Sequence, residues 1–435
     1  MNRASKIKVF DIESLPRDLL DRRWPKSKWY DPELERHVRA IMNEVRERGD
    51  SALTKFAKEF DNVELSADAL RVGSEEIESA YSEVKEEQVS ALRFLKSRIE
   101  YFEKERLERI SFDSERAGVK VYFRTRPLQS VGCYVPGAEA AYPSTLLMMA
   151  APARLAGVRR LVVCAPPTKG GTLNSLTLVA AHLCGIDELY KVGGAQAIAA
   201  LAYGTDSIRP VEKIVGPGNK YVTMAKILVS RDVAIDLPAG PSEVLILADE
   251  NADPRLIALD LISQAEHRVD SISMMVTTSQ EISEKAAEEI EKILLTSPRK
   301  EIVAKALSDN GAIIRCQNLE EAIDFANSFA PEHLQIDTKD PMAVADRIKS
   351  AGLILIGPYT PVSASDYAFG TNHILPTYGF GHAFSGLSVF DFVRRVSIVE
   401  STKDGLSRMR GHIGALAEAE GLFSHASAVE GRFEN

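Results

Sequence analysis

The chain has 435 residues, of which 45% are hydrophobic and 26% are charged, and its formal net charge at pH 7 is −9. This composition is typical of globular proteins and excludes disordered and fibrous chains. An acidic chain binds polyanions poorly through bulk charge, so we expect neither nucleic acid nor a membrane surface as a partner. The length allows about two or three domains.

Nothing in the sequence indicates export or disulfide formation. The N-terminal residues lack the apolar core of a signal peptide. The longest uninterrupted apolar run, residues 146–151, is far shorter than the roughly 20 residues of a membrane helix. The four cysteines show no framework spacing: Cys133, Cys164, Cys184 and Cys316. We therefore expect a cytoplasmic protein with reduced thiols.

The first predicted element is a helix that begins after residue 31. Asp31 provides the N-cap, Pro32 the first helical position, and Gly49 the end. Apolar residues at positions 34, 38, 41 and 45 lie on one face of this helix. After Gly118 the apolar residues alternate over 119–123, which predicts a strand.

Beyond residue 131, short apolar runs alternate with helical segments. Strands are predicted at 161–164, 213–215, 244–247, 272–276 and 353–356. Helices are predicted at 173–184, after 219 and from 254 onward, and the last fifty residues are predicted to be helical. Alternating strands and helices indicate parallel sheets with helices on both faces.

These elements predict an α/β fold with two Rossmann-like parallel-sheet domains that lack a standard G-x-G-x-x-G, plus helical N- and C-terminal extensions. The predicted divisions are a helical extension at 1–30, a first Rossmann-like domain at 31–130 and 240–387, a second at 131–239, and a C-terminal tail at 388–435.

Three polar segments contain residue types that support catalysis or metal binding. Gln264 and His267 have the spacing of two metal ligands on one helix face, although most such pairs are solvated. Glu332 and His333 could transfer protons and activate water, or could form an ordinary polar turn. Asp366 follows a predicted strand, and ligands usually bind beyond the carboxyl ends of strands. It could complete a zinc site or be a turn carboxylate.

Two glycine-rich turns and a further histidine could likewise have either a functional or an ordinary structural role. Gly193–Gln196 and Gly216–Asn219 would let the backbone approach a phosphate beside a helix N-terminus, or would be plain tight turns. His373 could belong to a site or be a hydrogen-bonded core histidine.

Taken in order, these segments closely resemble the histidinol dehydrogenase family over nearly the whole chain. The most specific matches are Gly132–Gly137, Tyr142–Thr145, Gly193–Ala200, Gly216–Asn219, Ala239–Val244, Ser263–His267, Ala330–Leu334, Gly370–His373 and Leu416–Leu422.

The resemblance implies a zinc-containing, NAD-dependent oxidation of L-histidinol through L-histidinal to L-histidine, the last steps of histidine biosynthesis. It implies two NAD molecules per turnover and one zinc ion per subunit. It also implies a homodimer whose C-terminal tails are exchanged, with the metal and substrate on the first domain and NAD on the second.

The resemblance also implies roles for individual residues. The catalytic pair would be Glu332 and His333. The zinc ligands would be Gln264, His267, Asp366 and His425. Substrate contacts would be Ser242, His373 and Glu420, in addition to His333 and the zinc ligands. NAD contacts would be Tyr134, Gln196 and Asn219.

The implied residues suit this chemistry. Two imidazoles, an amide oxygen and a carboxylate leave zinc a net positive charge and open positions for the substrate amine and imidazole. We expect His333 to take the alcohol proton and Glu332 to activate water for attack on the aldehyde.

The chain departs from the usual family pattern in three places. Arg268-Val269 follow His267 where the family usually has Asp-Pro. Ala138-Glu139 replace a glycine and a basic residue, and Ser365 replaces a glycine.

Three other functions remain open from the sequence. A relative similar to sulfopropanediol dehydrogenase would oxidise a sulfonated diol, although Glu420 favours a substrate with a cationic or imidazole end. A metal-binding paralogue without turnover would not need the Glu332-His333 pair. A hydrolytic zinc enzyme would leave the glycine turns without a purpose.

Overall fold

A computed structural model describes residues 7–16, 31–137, 141–237 and 240–434 of the chain. The described strands are Lys8–Asp11 (β1), Phe112–Arg116 (β2), Val119–Pro127 (β3), Ser130–Tyr134 (β4), Arg160–Ala165 (β5), Glu188–Lys191 (β6), Lys213–Val215 (β7), Ala234–Ile235 (β8), Glu243–Ala248 (β9), Ile272–Thr277 (β10), Ala312–Arg315 (β11), His333–Asp337 (β12), Leu353–Ile356 (β13) and Val393–Ser401 (β14).

The described α-helices are Pro32–Arg48 (α1), Asp50–Phe60 (α2), Ser74–Glu83 (α3), Glu86–Ile110 (α4), Pro143–Ala156 (α5), Ser175–Leu183 (α6), Gly194–Tyr203 (α7), Lys220–Val229 (α8), Pro254–Ala265 (α9), Gln280–Leu294 (α10), Lys300–Asn310 (α11), Leu319–Phe329 (α12), Pro341–Ala345 (α13), Val362–Tyr367 (α14), Lys403–Ala419 (α15) and Phe423–Glu430 (α16). The predicted α/β class with parallel sheets is confirmed.

The first sheet has six parallel strands in the order β1-β11-β10-β9-β12-β13. Apolar side chains cover both of its faces, in separate clusters under the flanking helices. From β9 the chain adds β10 and β11 on one side, and then returns to the other side of β9 to add β12 and β13. The direction in which strands are added therefore reverses between β9 and β12. This is the doubly wound arrangement of a Rossmann-like sheet.

The second sheet has five parallel strands in the order β6-β5-β4-β7-β8 and reverses its order between β4 and β7. One apolar core joins this sheet to the helices before it, since Val38 and Leu53 cluster with Val162 and Ile198. Helices α1 and α2 therefore pack on the second sheet. The predicted assignment of 31–130 to the first domain is wrong for these helices, because their apolar faces are buried against 131–239.

Lys104–Pro127 and Val393–Asn435 form a compact unit separate from the rest of the chain. Within it, β3 pairs antiparallel with both β2 and β14, and α15 and α16 pack on each other. The prediction of a wholly helical tail is wrong at β14, because nine backbone pairings with β3 stabilise an extended segment.

The N-terminal extension also differs from its prediction. Residues 8–11 form β1, an edge strand that pairs in parallel with β11, and a short 3-10 turn follows at Ile12–Ser14. The helical prediction for 1–30 is therefore wrong over residues 8–11, and the remainder of that range beyond residue 16 lies outside the described residues. The strand forms because β11 offers it an unpaired edge.

Two further sequence predictions concern helix boundaries and cysteines. The Asp31 side chain accepts hydrogen bonds from the N–H groups of Glu33 and Leu34, and Gly49 ends the helix, as predicted. All four cysteines are buried and unpaired.

No described helix has the length and apolar character required to cross a membrane.

Candidate active site

The Glu332-His333 pair lies at the amino end of β12. Helix α12 ends at Ala330, whose φ of 46° turns the chain sharply, and Pro331 prevents the helix from continuing. Glu332 is 7% exposed and His333 is 3% exposed. Two titratable side chains are thus removed from water by the short connection between a helix and a buried strand.

Glu243, the first residue of β9, holds this pair in place. Its backbone N–H donates to Glu332 Oε2 at 2.7 Å, and its Oε2 accepts from the Glu332 N–H at 3.4 Å. Its Oε1 accepts from the Tyr378 N–H at 3.0 Å. The Glu243 side chain is fully buried, and these bonds tie Glu332 and Tyr378 to the start of β9.

The hydrogen bonds of His333 determine which ring nitrogen is available. Nδ1 lies 3.2 Å from the Glu243 carbonyl oxygen, which can only accept, so Nδ1 carries the proton. Nε2 is buried and has no hydrogen-bond partner among the described residues. The neutral ring therefore presents a free lone pair at Nε2, which is the arrangement that a general base requires.

The electrostatic surroundings of His333 favour its protonated form. Burial lowers the pKa of His333, but attraction by the Glu332 and Asp366 carboxylates outweighs burial and raises the pKa to about 8. The Glu332 Oε2 lies 3.5 Å from His333 Nδ1. An imidazolium formed at this position is thus stabilised, and the neutral base becomes more populated as the pH rises.

Asp366 and His373 lie beside this pair. His373 Nδ1 is 3.6 Å from Asp366 Oδ1, and its Nε2 is 3.1 Å from the Thr145 hydroxyl at the start of α5. Burial lowers the pKa of His373 and outweighs the attraction of Asp366. His373 is therefore held as a neutral ring between Asp366 and Thr145.

The position of this cluster differs from the sequence-based expectation that ligands bind at the carboxyl ends of strands. His333 and Glu243 are the first residues of their strands, so the acid–base pair lies at the amino edge. Helix α14 follows β13 and brings Asp366 close enough to raise the pKa of His333. The chain that leaves the carboxyl end of β13 returns through α14 to the amino edge of the sheet. A local sequence pattern does not indicate this return.

Gln264 lies in the last turn of α9, where it is 1% exposed. His267 is predicted to lie on the same helix, but it lies two residues beyond the helix end. Its Nδ1 is 3.3 Å from the Gln264 carbonyl oxygen, so a proton on Nδ1 leaves Nε2 available to a metal. Helix α9 packs against α14, which carries Asp366.

The donor set of these three residues fits zinc. An amide oxygen, a neutral imidazole nitrogen and a carboxylate oxygen are all groups that zinc accepts, and a further ligand would complete a tetrahedral site. Within the described ranges, no three His, Cys, Asp or Glu side chains are grouped as a metal cluster.

The predicted cofactor residues lie at the carboxyl edge of the second sheet. Tyr134 ends β4, and its hydroxyl accepts from the Gly194 N–H at 3.1 Å; burial raises its pKa to about 12. Gln196 is buried in the first turn of α7. Asn219 caps α8 by accepting from the Tyr221 and Val222 N–H groups.

This edge fits a dinucleotide. The strand order reverses between β4 and β7, which is where doubly wound sheets bind nucleotides. The ten-residue helices α7 and α8 both begin at this edge, and the positive ends of their dipoles suit a pyrophosphate.

The remaining predicted residues differ in their surroundings. Ser242 is half-buried immediately before Glu243, and its carbonyl oxygen accepts from the Ile272 N–H at 2.9 Å. Glu420 and His425 belong to the separate unit, where both are exposed, at the end of α15 and on α16.

Two of the departures from the family pattern have simple structural settings. The Ser365 side chain is 1% exposed, and its hydroxyl donates to the Val362 carbonyl oxygen at 2.7 Å. Arg268 lies in an exposed turn, where it pairs with Asp270 at 3.2 Å. Neither change introduces an unpaired charge next to Asp366 or His267. Ala138 and Glu139 lie outside the described residues.

Sequence reasoning missed Glu243 and Thr145. Both stand inside motifs that carry the family resemblance, but the hydrogen bonds that define their roles join residues far apart in the chain. The available signal for Glu243 was a single carboxylate directly before the apolar run Val244–Leu247. A charge at the head of a fully buried strand needs partners, and the partners here are other site residues.

Two doubly wound sheets and a buried Glu–His pair with a free ring nitrogen define an α/β enzyme with acid–base chemistry. The sequence model of the histidinol dehydrogenase family matches residues 25–433. The chain therefore belongs to the histidinol dehydrogenase family, and it is an oxidoreductase of that type.

Individual relatives agree with this assignment. The chain is 46% identical to a histidinol dehydrogenase of Gluconobacter oxydans over 397 residues, 91% of this chain and 92% of the relative. It is 46% identical over 398 residues to a histidinol dehydrogenase of Methanosarcina mazei, covering 91% of each. The crystal structure of histidinol dehydrogenase from Elizabethkingia anophelis superposes with a TM-score of 0.92, at 38% identity and with 98% of each chain covered.

Proposed function

We propose that this chain catalyses the NAD-dependent oxidation of L-histidinol, through L-histidinal, to L-histidine, the last steps of histidine biosynthesis. The observation that carries the proposal is the His333 ring, whose Nδ1 is fixed by the Glu243 carbonyl while its buried Nε2 has no partner. Membership of the histidinol dehydrogenase family supports the choice of substrate.

Different sets of site residues would bind the metal and the cofactor. Gln264, His267 and Asp366 would hold one zinc ion, together with His425 of the partner subunit. Tyr134, Gln196 and Asn219 would hold NAD at the edge of the second sheet. When bound, zinc orients and polarises the alcohol and NAD accepts the hydride, in each of two successive oxidations.

The chain's own residues move the protons. His333 Nε2 takes the hydroxyl proton of the alcohol, and the imidazolium is stabilised by Glu332 at 3.5 Å from Nδ1. Glu332 then accepts a proton from the water that attacks the aldehyde. Ser242 and His373 would contact the substrate, with His373 kept neutral and oriented by Thr145.

We further infer a homodimer with exchanged tails, in which Glu420 of the partner subunit contacts the substrate. The separate unit that carries the tail exposes large apolar side chains: Val399 is 63% exposed, Leu416 66% and Phe423 67%. Exposed apolar groups of this size are typical of an interface. A second copy of the chain is the partner that would cover them.

The proposed activity is tested by mixing the zinc-loaded protein with NAD and either L-histidinol or dihydroxypropane sulfonate, and following NADH absorbance. We expect two NADH per L-histidinol and none from the sulfonate. NADH from the sulfonate alone would assign the related diol oxidation. No NADH from either compound would exclude both dehydrogenase functions and leave a metal-binding role without turnover.

A further inference from the structure

A buried ion pair lies behind the glycine turn at residues 216–219. Lys226 projects from α8, Asp236 follows β8, and their charged groups contact each other. The Lys226 side chain is 3% exposed and the Asp236 side chain is fully buried, the least exposed Lys/Arg–carboxylate pair among the described residues. The pair has no part in the proton transfers described above.

The two side chains hold both peptide groups of one residue. Lys226 Nζ donates to the Gly216 carbonyl oxygen at 2.8 Å and to the Leu237 carbonyl oxygen at 3.1 Å. Asp236 Oδ2 accepts from the Gly216 N–H at 2.7 Å. Gly216 therefore has its donor and its acceptor bonded to opposite members of a single ion pair.

Gly216 is also conformationally constrained. Its φ is 124°, a backbone conformation that side-chain-bearing residues rarely adopt, and a Cβ on it would lie 2.2 Å from the Tyr134 carbonyl oxygen. Gly216 directly follows β7 and touches the end of β4, so it lies where the strand order reverses. Its position determines where Asn219 and the start of α8 are placed.

Stability alone does not explain a pair buried this deeply. Removing two charges from water costs several kcal/mol, and well-packed apolar side chains of similar size are often at least as stable. What apolar side chains cannot do is bond to an N–H and a C=O group at the same time. The gain from the charged pair is therefore a single conformation for the turn.

We propose that Lys226 and Asp236 are positioning residues that hold the 216–219 turn in its cofactor-binding conformation. The inference rests on the proposed NAD site and adds two residues that touch neither NAD nor substrate. It requires that disruption of the pair weaken NAD binding while binding of the alcohol, at the amino edge of the other sheet, is unaffected.

The test compares three variants with the wild type: Lys226→Met, Asp236→Asn and the double variant. The double variant leaves no lone buried charge, so it separates the loss of the turn's bonds from the cost of an unpaired ion. Glu188→Gln is the matched control, because it breaks the Arg160–Glu188 pair (2.8 Å) at the opposite edge of the same sheet.

Three kinds of measurement are made. Calorimetry gives the Kd of NAD, steady-state kinetics gives KM for NAD and for L-histidinol separately, and hydrogen exchange of the apo protein follows the amides of 216–219. In the Lys226 and Asp236 variants we expect Kd and KM for NAD to rise about tenfold or more, since hydrogen bonds to charged groups are lost. The KM for L-histidinol should change less than twofold, and exchange at 216–219 should accelerate.

The outcomes distinguish a failure of the positioning role from a failure of the proposed NAD-dependent function. The Glu188→Gln control should retain wild-type NAD affinity and turn exchange. Variants that bind NAD as the wild type does, or that raise both KM values equally, would overturn the positioning role. Wild-type protein that binds no NAD would overturn the proposed function itself, while faster exchange in the variants would still show that the pair holds the turn.

Discussion

His333 illustrates how a single ring acquires a defined role from its two hydrogen-bonding positions. The Glu243 carbonyl fixes the proton on Nδ1, and Nε2 is buried without a hydrogen-bond partner among the described residues. Neighbouring carboxylates then favour the protonated ring that the reaction would produce. The same residue in an exposed turn would have neither a fixed tautomer nor a stabilised charge.

The first prediction is that His333→Asn retains zinc but loses turnover. Asparagine keeps a polar group near the Glu243 carbonyl but supplies no base, so kcat should fall about a hundredfold or more. Stopped-flow NADH formation and metal analysis measure the two effects. His182→Asn, which disrupts only the surface contact with Tyr81 (2.8 Å), should match the wild type. Unchanged turnover in His333→Asn would remove His333 from this role.

The second prediction concerns Glu243, which holds Glu332 without being part of the predicted catalytic pair. Glu243→Gln replaces one carboxylate oxygen by an NH₂ group that faces a backbone N–H donor, so buried bonds at Glu332 or Tyr378 are lost. We expect kcat to fall with little change in KM for NAD, and unfolding to cost about 1–3 kcal/mol less. An unaltered kcat in a folded variant would contradict the orienting role.

At the scale of elements, the site depends on how α9 meets β12. Asp260 lies one turn before Gln264 on α9, and it accepts a hydrogen bond from Gln335 Nε2 at 2.8 Å. Gln335 is two residues after His333 and points to the same side of β12. This buried contact ties the helix that carries Gln264 and precedes His267 to the strand that carries the base.

The Asp260 contact predicts a pH-dependent stability. Burial raises the pKa of Asp260 to about 6, from a reference value of 3.8. Because its folded-state pKa is raised, Asp260 disfavours the fold progressively as the pH rises from about 4 to about 6. Asp260→Asn removes this cost, so the variant should gain on the order of 2 kcal/mol relative to the wild type between those values. Melting curves at several pH values measure the difference, and a pH-independent difference would contradict the assignment.

The turn after β7 predicts a contrast between two glycines of the same sheet domain. Gly216→Ala meets both a positive φ and the Tyr134 carbonyl, whereas Gly185 has a φ of 61° and open space around its Cβ position. Gly185→Ala should cost about 1 kcal/mol of unfolding free energy. Gly216→Ala should cost about 2 kcal/mol or more and also weaken NAD binding. Equal Tm losses and equal NAD affinities would show that the close approach to Tyr134 is unimportant.

At the scale of the whole molecule, the proposed tail exchange predicts complementation between two inactive variants. In a heterodimer of His333→Asn with His425→Asn, one site contains both substitutions and the other contains neither. After random mixing of subunits, activity should recover to about a quarter of the wild-type value. If both residues served the site of their own chain, no site would be intact and the mixture would remain inactive. NADH formation after subunit exchange measures the outcome.

Much of the fold was predictable from the sequence because the determining signals are local. The Asp31 cap, the Gly49 stop and the apolar runs that became β5, β7, β9, β10 and β13 each appear within a few residues. The exceptions are strands that depend on a distant partner. β1 and β14 pair with strands about 300 and 270 residues away, and no local pattern shows that such an edge is available.

The sequence by itself determined which residue types are present for chemistry: an adjacent Glu-His pair, a Gln-x-x-His and glycine turns after strands. The tertiary structure decided which of their atoms can act. It placed the pair at the amino edge, assigned the base to Nε2 of His333 through Glu243, and fixed the Gly216 turn with a buried ion pair. The physical reason is that tautomers, pKa values and loop conformations depend on neighbours within a few ångströms, and folding brings those neighbours from remote parts of the chain.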